Sequence, residues 1–238
     1  MCIEDNIARV RERIDAAARR AHRSSTDIKL MAVTKVVSPD HIRKASAAGI
    51  CAFGENRVQE FAEKCDALRD LSGAQWHMIG HLQTNKVSRA VELFDAVDSV
   101  DSVRLAHKLD SAAQQLGKKL SVLIEINIGG EQAKSGVAPD SPELNQLLSS
   151  AAELTSLQFR GLMTVPRYHD DPEQSQPYFR RMRELFQEIS RRQLPAIHME
   201  VLSMGMSHDF EIAIEEGSTC VRIGTAIFGE RRSVRSPA

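Results

Sequence analysis

Lys35 ends the apolar run Lys29-Leu-Met-Ala-Val-Thr-Lys35, and the chain then breaks at Ser38-Pro39. A primary amine held at the mouth of a buried strand can capture an aldehyde as a Schiff base. It can equally be a solvated end cap whose stem lies over apolar neighbours. Two late segments bear on that choice. Leu202-Ser-Met-Gly-Met-Ser207 offers a hydroxyl and glycine-permitted backbone amides, and Arg222-Ile-Gly-Thr225 supplies a second turn with glycine plus hydroxyl. Together they have the chemistry of an anion cradle. Ser207 has a plainer reading as the cap of a helix over 208–216 that Gly217 closes.

Other constellations are weaker. His77 and His81 are four apart, but His77 falls in a strand and His81 in the loop after Gly80, so helical metal-ligand spacing does not apply. Gly205-Met-Ser-His-Asp209 lacks the second glycine of a nucleophile elbow, and Gly54, Gly73 and Gly80 form no dinucleotide fingerprint. Cys2, Cys51, Cys65 and Cys220 are too widely spaced for a zinc knuckle or a redox pair. They read as free thiols, with Cys51, Cys65 and Cys220 packed in the core.

The elements that must position these groups alternate along the chain. Ile3, Ile7, Val10, Ile14, Ala17 and Ala21 mark an N-terminal helix with one apolar face. Strand-like runs follow near 29–35, 50–53, 76–79, 93–97, 120–126, 158–164, 198–203 and 219–223. Between them lie helical patterns with their own signals, such as Ser38-Pro39-Asp40 and Ser141-Pro142-Glu143 at starts and Gly117 after the segment 101–116. Eight such βα units in 238 residues match the arithmetic of a (β/α)8 TIM barrel, an α/β fold of one domain, with a doubly wound sheet as the alternative. In a barrel the groups that follow the strands share one face. Lys35, Gly54-Glu55-Asn56, Gly80-His81, Asn127, Thr164, Ser203-Met204-Gly205 and Arg222-Ile-Gly224-Thr225 are then expected to meet at a common pocket.

Composition narrows the function classes. Lys plus Arg number 31 against 32 Asp plus Glu, so no basic surplus points to nucleic acid. The N-terminus carries charges where a secretory signal needs an apolar run, and no stretch approaches the length of a membrane span. The expectation is a cytoplasmic chain, monomeric by default because no oligomer seam stands out on the helices.

The whole chain resembles the pyridoxal 5'-phosphate (PLP) homeostasis proteins, the proline-synthetase co-transcribed family. The matching stretches are Ala32-Val-Thr-Lys35, Phe53-Gly-Glu-Asn-Arg-Val-Gln-Glu60, Trp76-His-Met-Ile-Gly-His-Leu-Gln-Thr-Asn-Lys86, Ser99-Val-Asp101, Lys134-Ser-Gly136, Gly161-Leu-Met163, Leu202-Ser-Met-Gly-Met-Ser207 and Val221-Arg-Ile-Gly-Thr-Ala-Ile-Phe-Gly229. They span the first helix to Arg231, so the resemblance implies a barrel over 1–231 and a flexible tail over 232–238.

That barrel is like the N-terminal domain of alanine racemase, with PLP linked covalently through Lys35 as a lysine aldimine. Ser203, Gly205, Gly224 and Thr225 surround the phosphate by the same likeness, Arg222 faces the pyridine nitrogen, and Asn56 and Met204 lie beside the cofactor. A guanidinium is no proton donor at useful pH, so at that position it disfavours the protonated ring and weakens the ring as an electron sink. The residues alone leave open a buried arginine paired with Glu215, Glu216 or another carboxylate.

The family implies intracellular vitamin B6 homeostasis, with the cofactor bound, buffered and delivered to apo forms of PLP-dependent enzymes, and no robust turnover. Alanine racemases draw their second proton-transfer group from an additional C-terminal domain, whereas this barrel is followed by Glu230-Arg-Arg-Ser-Val-Arg-Ser-Pro-Ala238. A weak amino-acid racemase or transaminase and a protein-interaction module are the alternatives. Arg57 departs from the family pattern, in which tyrosine is common after Gly-Glu-Asn.

Overall fold

The computed structural model describes residues 2–131 and 134–230. Helix α1 (Ile3–Arg20) precedes eight parallel strands: β1 (Lys29–Val33), β2 (Ala52–Glu55), β3 (Gln75–Met78), β4 (Ala96–Val100), β5 (Leu120–Glu125), β6 (Leu157–Met163), β7 (Ile197–Met206) and β8 (Cys220–Ile223). They pair in sequence order and β8 returns to β1, closing the barrel. Helices α2 (Pro39–Ala47), α3 (Val58–Lys64), α4 (Val87–Leu93), α5 (Val103–Gln115), α6 (Pro142–Ser150), α7 (Gln176–Arg191) and α8 (Phe210–Glu215) connect the strands, and α9 (Thr225–Phe228) follows the last. The expected (β/α)8 architecture is therefore present, and the doubly wound sheet is not. The expected boundary between residues 231 and 232, and the tail over 232–238, lie outside the described residues.

Strand alternation divides the residues between two environments. Ala32, Phe53, Val221 and Ile223 join the large core between strands and helices, whereas Met31, Ala52 and Cys220 form a separate cluster with Ile79 and Val201. Arg222 shares the parity of Cys220, so it points inward rather than toward the helices. Phe53 and Phe61 pack around Trp76 with ring centroids 4.9 and 4.6 Å apart, tying β2, β3 and α3 together.

Three expectations are corrected. β2 begins and ends two residues later than the run 50–53, which puts Gly54 and Glu55 in the strand and leaves Cys51 exposed before it. The later bounds follow from the ladder, in which Gly54 pairs with Val33 and His77 and Glu55 with Met78; an added Cβ on Gly54 would lie 2.9 and 2.8 Å from Met31 Sδ and Ile79 Cδ1. β4 is likewise displaced to Ala96–Val100: Phe94 closes α4, its amide donating to Ala90 O, and packs against Phe61 at 4.9 Å. Ser207 is not the N-cap of α8; Asp209 holds that position without a side-chain bond to the helix amides, and its Oδ1 instead accepts from the preceding Met206 amide at 2.7 Å.

Helix α1 buries Ile7, Val10, Ile14, Ala17 and Ala18 against the late helices. Arg13 pairs with Glu211 at 2.8 Å, and its guanidinium lies 4.6 Å from the Phe210 ring centroid. Asn6 donates from Nδ2 to Ile227 O at 2.8 Å, anchoring α9 and with it the turn that carries Thr225.

Candidate functional site

A cavity of about 340 Å³ opens among the residues that follow the strands. Its wall comprises Val33 and Lys35 from β1 and its loop, Asn56 after β2, and Ile79 after β3. Val165 and Tyr168 come from the loop after β6, Met206, Ser207 and His208 from the end of β7, and Arg222, Gly224 and Thr225 from β8 and its turn. Six of the eight strands thus contribute. Asn127 does not: its Nδ2 is turned into its own loop, donating to Glu131 O at 2.8 Å. His81 lines two neighbouring hollows and is paired with Asp101 at 3.2 Å.

The β7 and β8 turns are joined by one hydroxyl. Ser207 Oγ accepts from the amides of Gly224 and Ala226, both at 3.3 Å. What brings Ser207 there is an irregularity in the β7–β8 pairing between Ser203 and Met206, where Gly205 has φ +93°. A Cβ on Gly205 would lie 2.5 Å from Ala213 Cβ and 2.9 Å from Phe210 Cα, so only glycine fits. Met204 is buried in the core cluster below the turn.

Arg222 forms the floor. Its Nη1 donates to Ser203 Oγ at 2.6 Å and its Nη2 to Thr164 O at 2.7 Å. Neither Glu215 nor Glu216 is its partner, because Glu215 is paired with Arg20 at 2.6 Å and Glu216 with Arg180 and Arg183 at 3.2 and 3.3 Å. Burial pulls the guanidinium below its ordinary range, opposed by Cys220, Asp98, Asp209 and Glu125. Ser203 is fully buried and accepts from Arg222 on the floor, and Ser203, Met204 and Gly205 lie buried at the base of the wall that Met206 and Ser207 line.

At the amine end, Lys35 is half-buried and follows Thr34, whose hydroxyl donates to the fully buried Glu55. Burial pushes the Glu55 carboxyl up, while Lys64 and Thr34 pull it back. Across the barrel top, Glu125 is pushed up to about 6, first by burial and then by Asp101, against Ser135, Arg222 and His81. His77 Nδ1 lies 3.0 Å from the buried Asp98.

Val165, Tyr168, Met206 and His208 were not among the expected site residues. Tyr168 and His208 pair at the rim with ring centroids 5.1 Å apart. The only signal for them was position, since both follow strand ends.

The donor set fits a small ligand carrying a phosphate and an aldehyde. The wall holds an amine, a guanidinium and the hydroxyls of Ser207 and Thr225, and among the described residues no carboxylate belongs to it. Asn56 Oδ1 is buried there without a hydrogen-bond partner among the described residues, a cost that a bound donor removes. Among the described residues no group of His, Cys, Asp or Glu is arranged to hold a metal ion, and no helix is long and apolar enough to cross a membrane.

Comparison with known proteins agrees with this geometry. The family described as alanine racemase, N-terminal domain, matches residues 6–232. The pyridoxal phosphate homeostasis protein of Aquifex aeolicus is 46% identical over 228 residues, covering 96% of this chain and 98% of that protein. The protein of that name from Escherichia coli K12 is 42% identical over 231 residues, covering 96% and 97%. The solved structure of PipY from Synechococcus elongatus with PLP bound superposes with a TM-score of 0.83 at 35% identity, covering 95% of this chain and all (100%) of that one. A Clostridium difficile alanine racemase shares the fold with a TM-score of 0.68 at 16% identity, covering 97% of this chain and 58% of its own. The chain belongs to the pyridoxal phosphate homeostasis protein family, on a barrel of the alanine racemase N-terminal type.

Proposed function

We propose that this protein binds pyridoxal 5'-phosphate and holds it covalently on Lys35, serving PLP homeostasis by buffering and delivery rather than by turnover. The observation that carries the reading is a single cavity with the Lys35 amine in one wall, the Ser207, Gly224 and Thr225 turns in another, and Arg222 on its floor. Bound there, the cofactor supplies an aldehyde that condenses with a primary amine and releases water.

Each residue of the chain then has a task. Lys35 supplies the amine. Ser207 and Thr225 offer hydroxyls to the phosphate, and Ser207 holds the Gly224 and Ala226 amides of the β8 turn in place beside it. Gly205 makes the turn that brings Ser207 forward, while Ser203 and Met204 hold its base. Asn56 offers its buried amide to the ring's polar edge, and Arg222 faces the pyridine nitrogen as a fixed cation that leaves the ring a poor electron sink. That last role favours storage over carbanion chemistry.

The proposal includes a cytoplasmic monomer that exchanges its cofactor with apo forms of PLP-dependent enzymes. Mixing labelled holoprotein with such an acceptor, with and without a trap for free cofactor, separates direct delivery from release through solvent. Attachment itself is tested by borohydride reduction of the protein incubated with PLP, followed by peptide mass mapping. A modification confined to Lys35 is expected, and one confined to another lysine overturns the assignment.

A further inference from the structure

Lys35 projects from a short stretch that is gripped on both sides. Lys64, in the last turn of α3, donates from Nζ to Thr34 O at 2.8 Å. The same Nζ pairs with Glu55 at 2.8 Å and with Glu60 at 3.2 Å. Glu55 accepts from the Thr34 hydroxyl, and Glu60 accepts from the Val36 amide. One ionic cluster therefore holds both neighbours of Lys35, Thr34 by its carbonyl and hydroxyl and Val36 by its N–H.

Two features indicate that this cluster serves orientation rather than stability. Val36 has φ +55°, in the left-handed region that a β-branched residue adopts only at a cost, and with 70% exposure its side chain gains little from packing. Such a conformation persists where its surroundings over-determine it, and the Glu60 contact does so here. Lys64 and Glu55 expose only 9% and 0% of their side chains, and a buried ion pair contributes little net stability compared with apolar residues of similar size.

We infer that Lys64, acting with Glu55 and Glu60, is a positioning residue for the Lys35 amine, holding residues 34 and 36 so that the amine enters the cavity in one orientation. The inference rests on the reading of Lys35 as the attachment point. None of the three clamp residues lines the cavity, so their effect on attachment passes through the backbone of Lys35.

Lys64→Met alone strands two carboxylates and is expected to weaken the fold. The double variant Lys64→Met, Glu55→Gln replaces the buried pair by neutral side chains of similar size and tests positioning in a folded protein. After a thermal melt confirms folding, PLP is added to the cofactor-free protein and attachment is followed by its visible absorbance and by borohydride trapping. Acetylation of Lys35 relative to Lys44, measured without PLP, gives a readout independent of the cofactor.

A displacement on the order of 1 Å slows a reaction about 100-fold, so the double variant is expected to attach PLP between about 10- and 100-fold more slowly. Its acetylation ratio is expected to change, and trapped label to spread to other lysines. A folded double variant with wild-type attachment rate, label confined to Lys35 and an unchanged acetylation ratio overturns the inference while leaving the attachment reading intact. Label on another lysine in the wild type overturns both. Should the double variant not fold, Glu60→Ala, which cuts the Val36 arm at a partly exposed carboxylate, decides by the same measurements.

Discussion

The Arg222 guanidinium donates to the Ser203 hydroxyl at 2.6 Å, and both side chains are buried. The hydroxyl that looks outward from the β7 segment is that of Ser207, which holds the β8 turn. Ser203→Ala leaves a buried N–H of Arg222 unpartnered, at a cost of about 1–3 kcal/mol in stability. Because Ser203 acts through the floor, PLP and unphosphorylated pyridoxal should lose affinity alike. Binding titrations with the two ligands check this, and a loss confined to PLP would place Ser203 at the phosphate instead.

Ser207→Ala combined with Thr225→Ala should behave differently. Hydrogen bonds to a charged group contribute about 1.5–3 kcal/mol each, so the pair should weaken PLP by roughly 100-fold or more. Pyridoxal has no phosphate and should be affected far less. Equal losses for the two ligands, with a lowered melting temperature, would mean that the hydroxyls only hold the β7 and β8 turns together.

The eight strands were legible because each is an apolar run flanked by turn residues, and parallel strands covered on both faces have that pattern. Lys35 and the two late turns were legible for the same reason, as polar groups at strand ends. Exact registers were not. Glu55 belongs to β2 because it pairs with Met78 of β3, a contact between distant segments. Ser203 and Ser207 lie four residues apart in one motif, and only the irregular pairing at Gly205 decides which hydroxyl faces the cavity. Of the Lys64 clamp only the Glu60 pair, four residues apart on α3, has a recognisable spacing; Glu55 comes from β2 and Thr34 from the loop after β1.

Gly80 passes so close to Asn56 that a Cβ would lie 2.4 Å from Asn56 O and 2.9 Å from Asn56 Cα. Backbone atoms cannot yield as a flexible side chain can. Gly80→Ala should therefore cost about 1–3 kcal/mol, as other overpacked sites do, and displace Asn56 from the cavity wall. A thermal melt together with a PLP titration reads both effects. Wild-type affinity in the destabilised variant would show that Asn56 is dispensable to binding.

Glu125 gives the protein a defined pH dependence. Its carboxyl is raised from 4.5 to about 6, so the folded state holds the proton more tightly than the unfolded chain. The contribution is favourable at low pH and is lost as pH rises through that window, since there the folded state binds more protons. The shift corresponds to about 2 kcal/mol, an order-of-magnitude figure for a buried group. Asp101 strengthens the effect, and Arg222, His81 and Ser135 oppose it. Denaturant midpoints of the wild type measured across the window should fall with rising pH relative to Glu125→Gln, which carries no titrating proton. Parallel curves would assign the pH dependence to other groups.

Storage and turnover are separated by what happens to a substrate's Cα proton. Racemisation needs an electron sink and proton-transfer groups on both faces of the bound amino acid. Arg222, proposed to face the pyridine nitrogen, cannot donate a proton to it and so weakens the sink. Of the groups in the wall that can shuttle protons, Lys35 is the proposed attachment point, while Tyr168 and His208 stand at the rim paired with each other. Incubating the holoprotein with L-amino acids in deuterated buffer should therefore yield only slow Cα exchange. Rapid exchange that disappears in Lys35→Ala, with D-isomer accumulating, would defeat the storage reading and make Tyr168 and His208 the first proton-transfer candidates to replace.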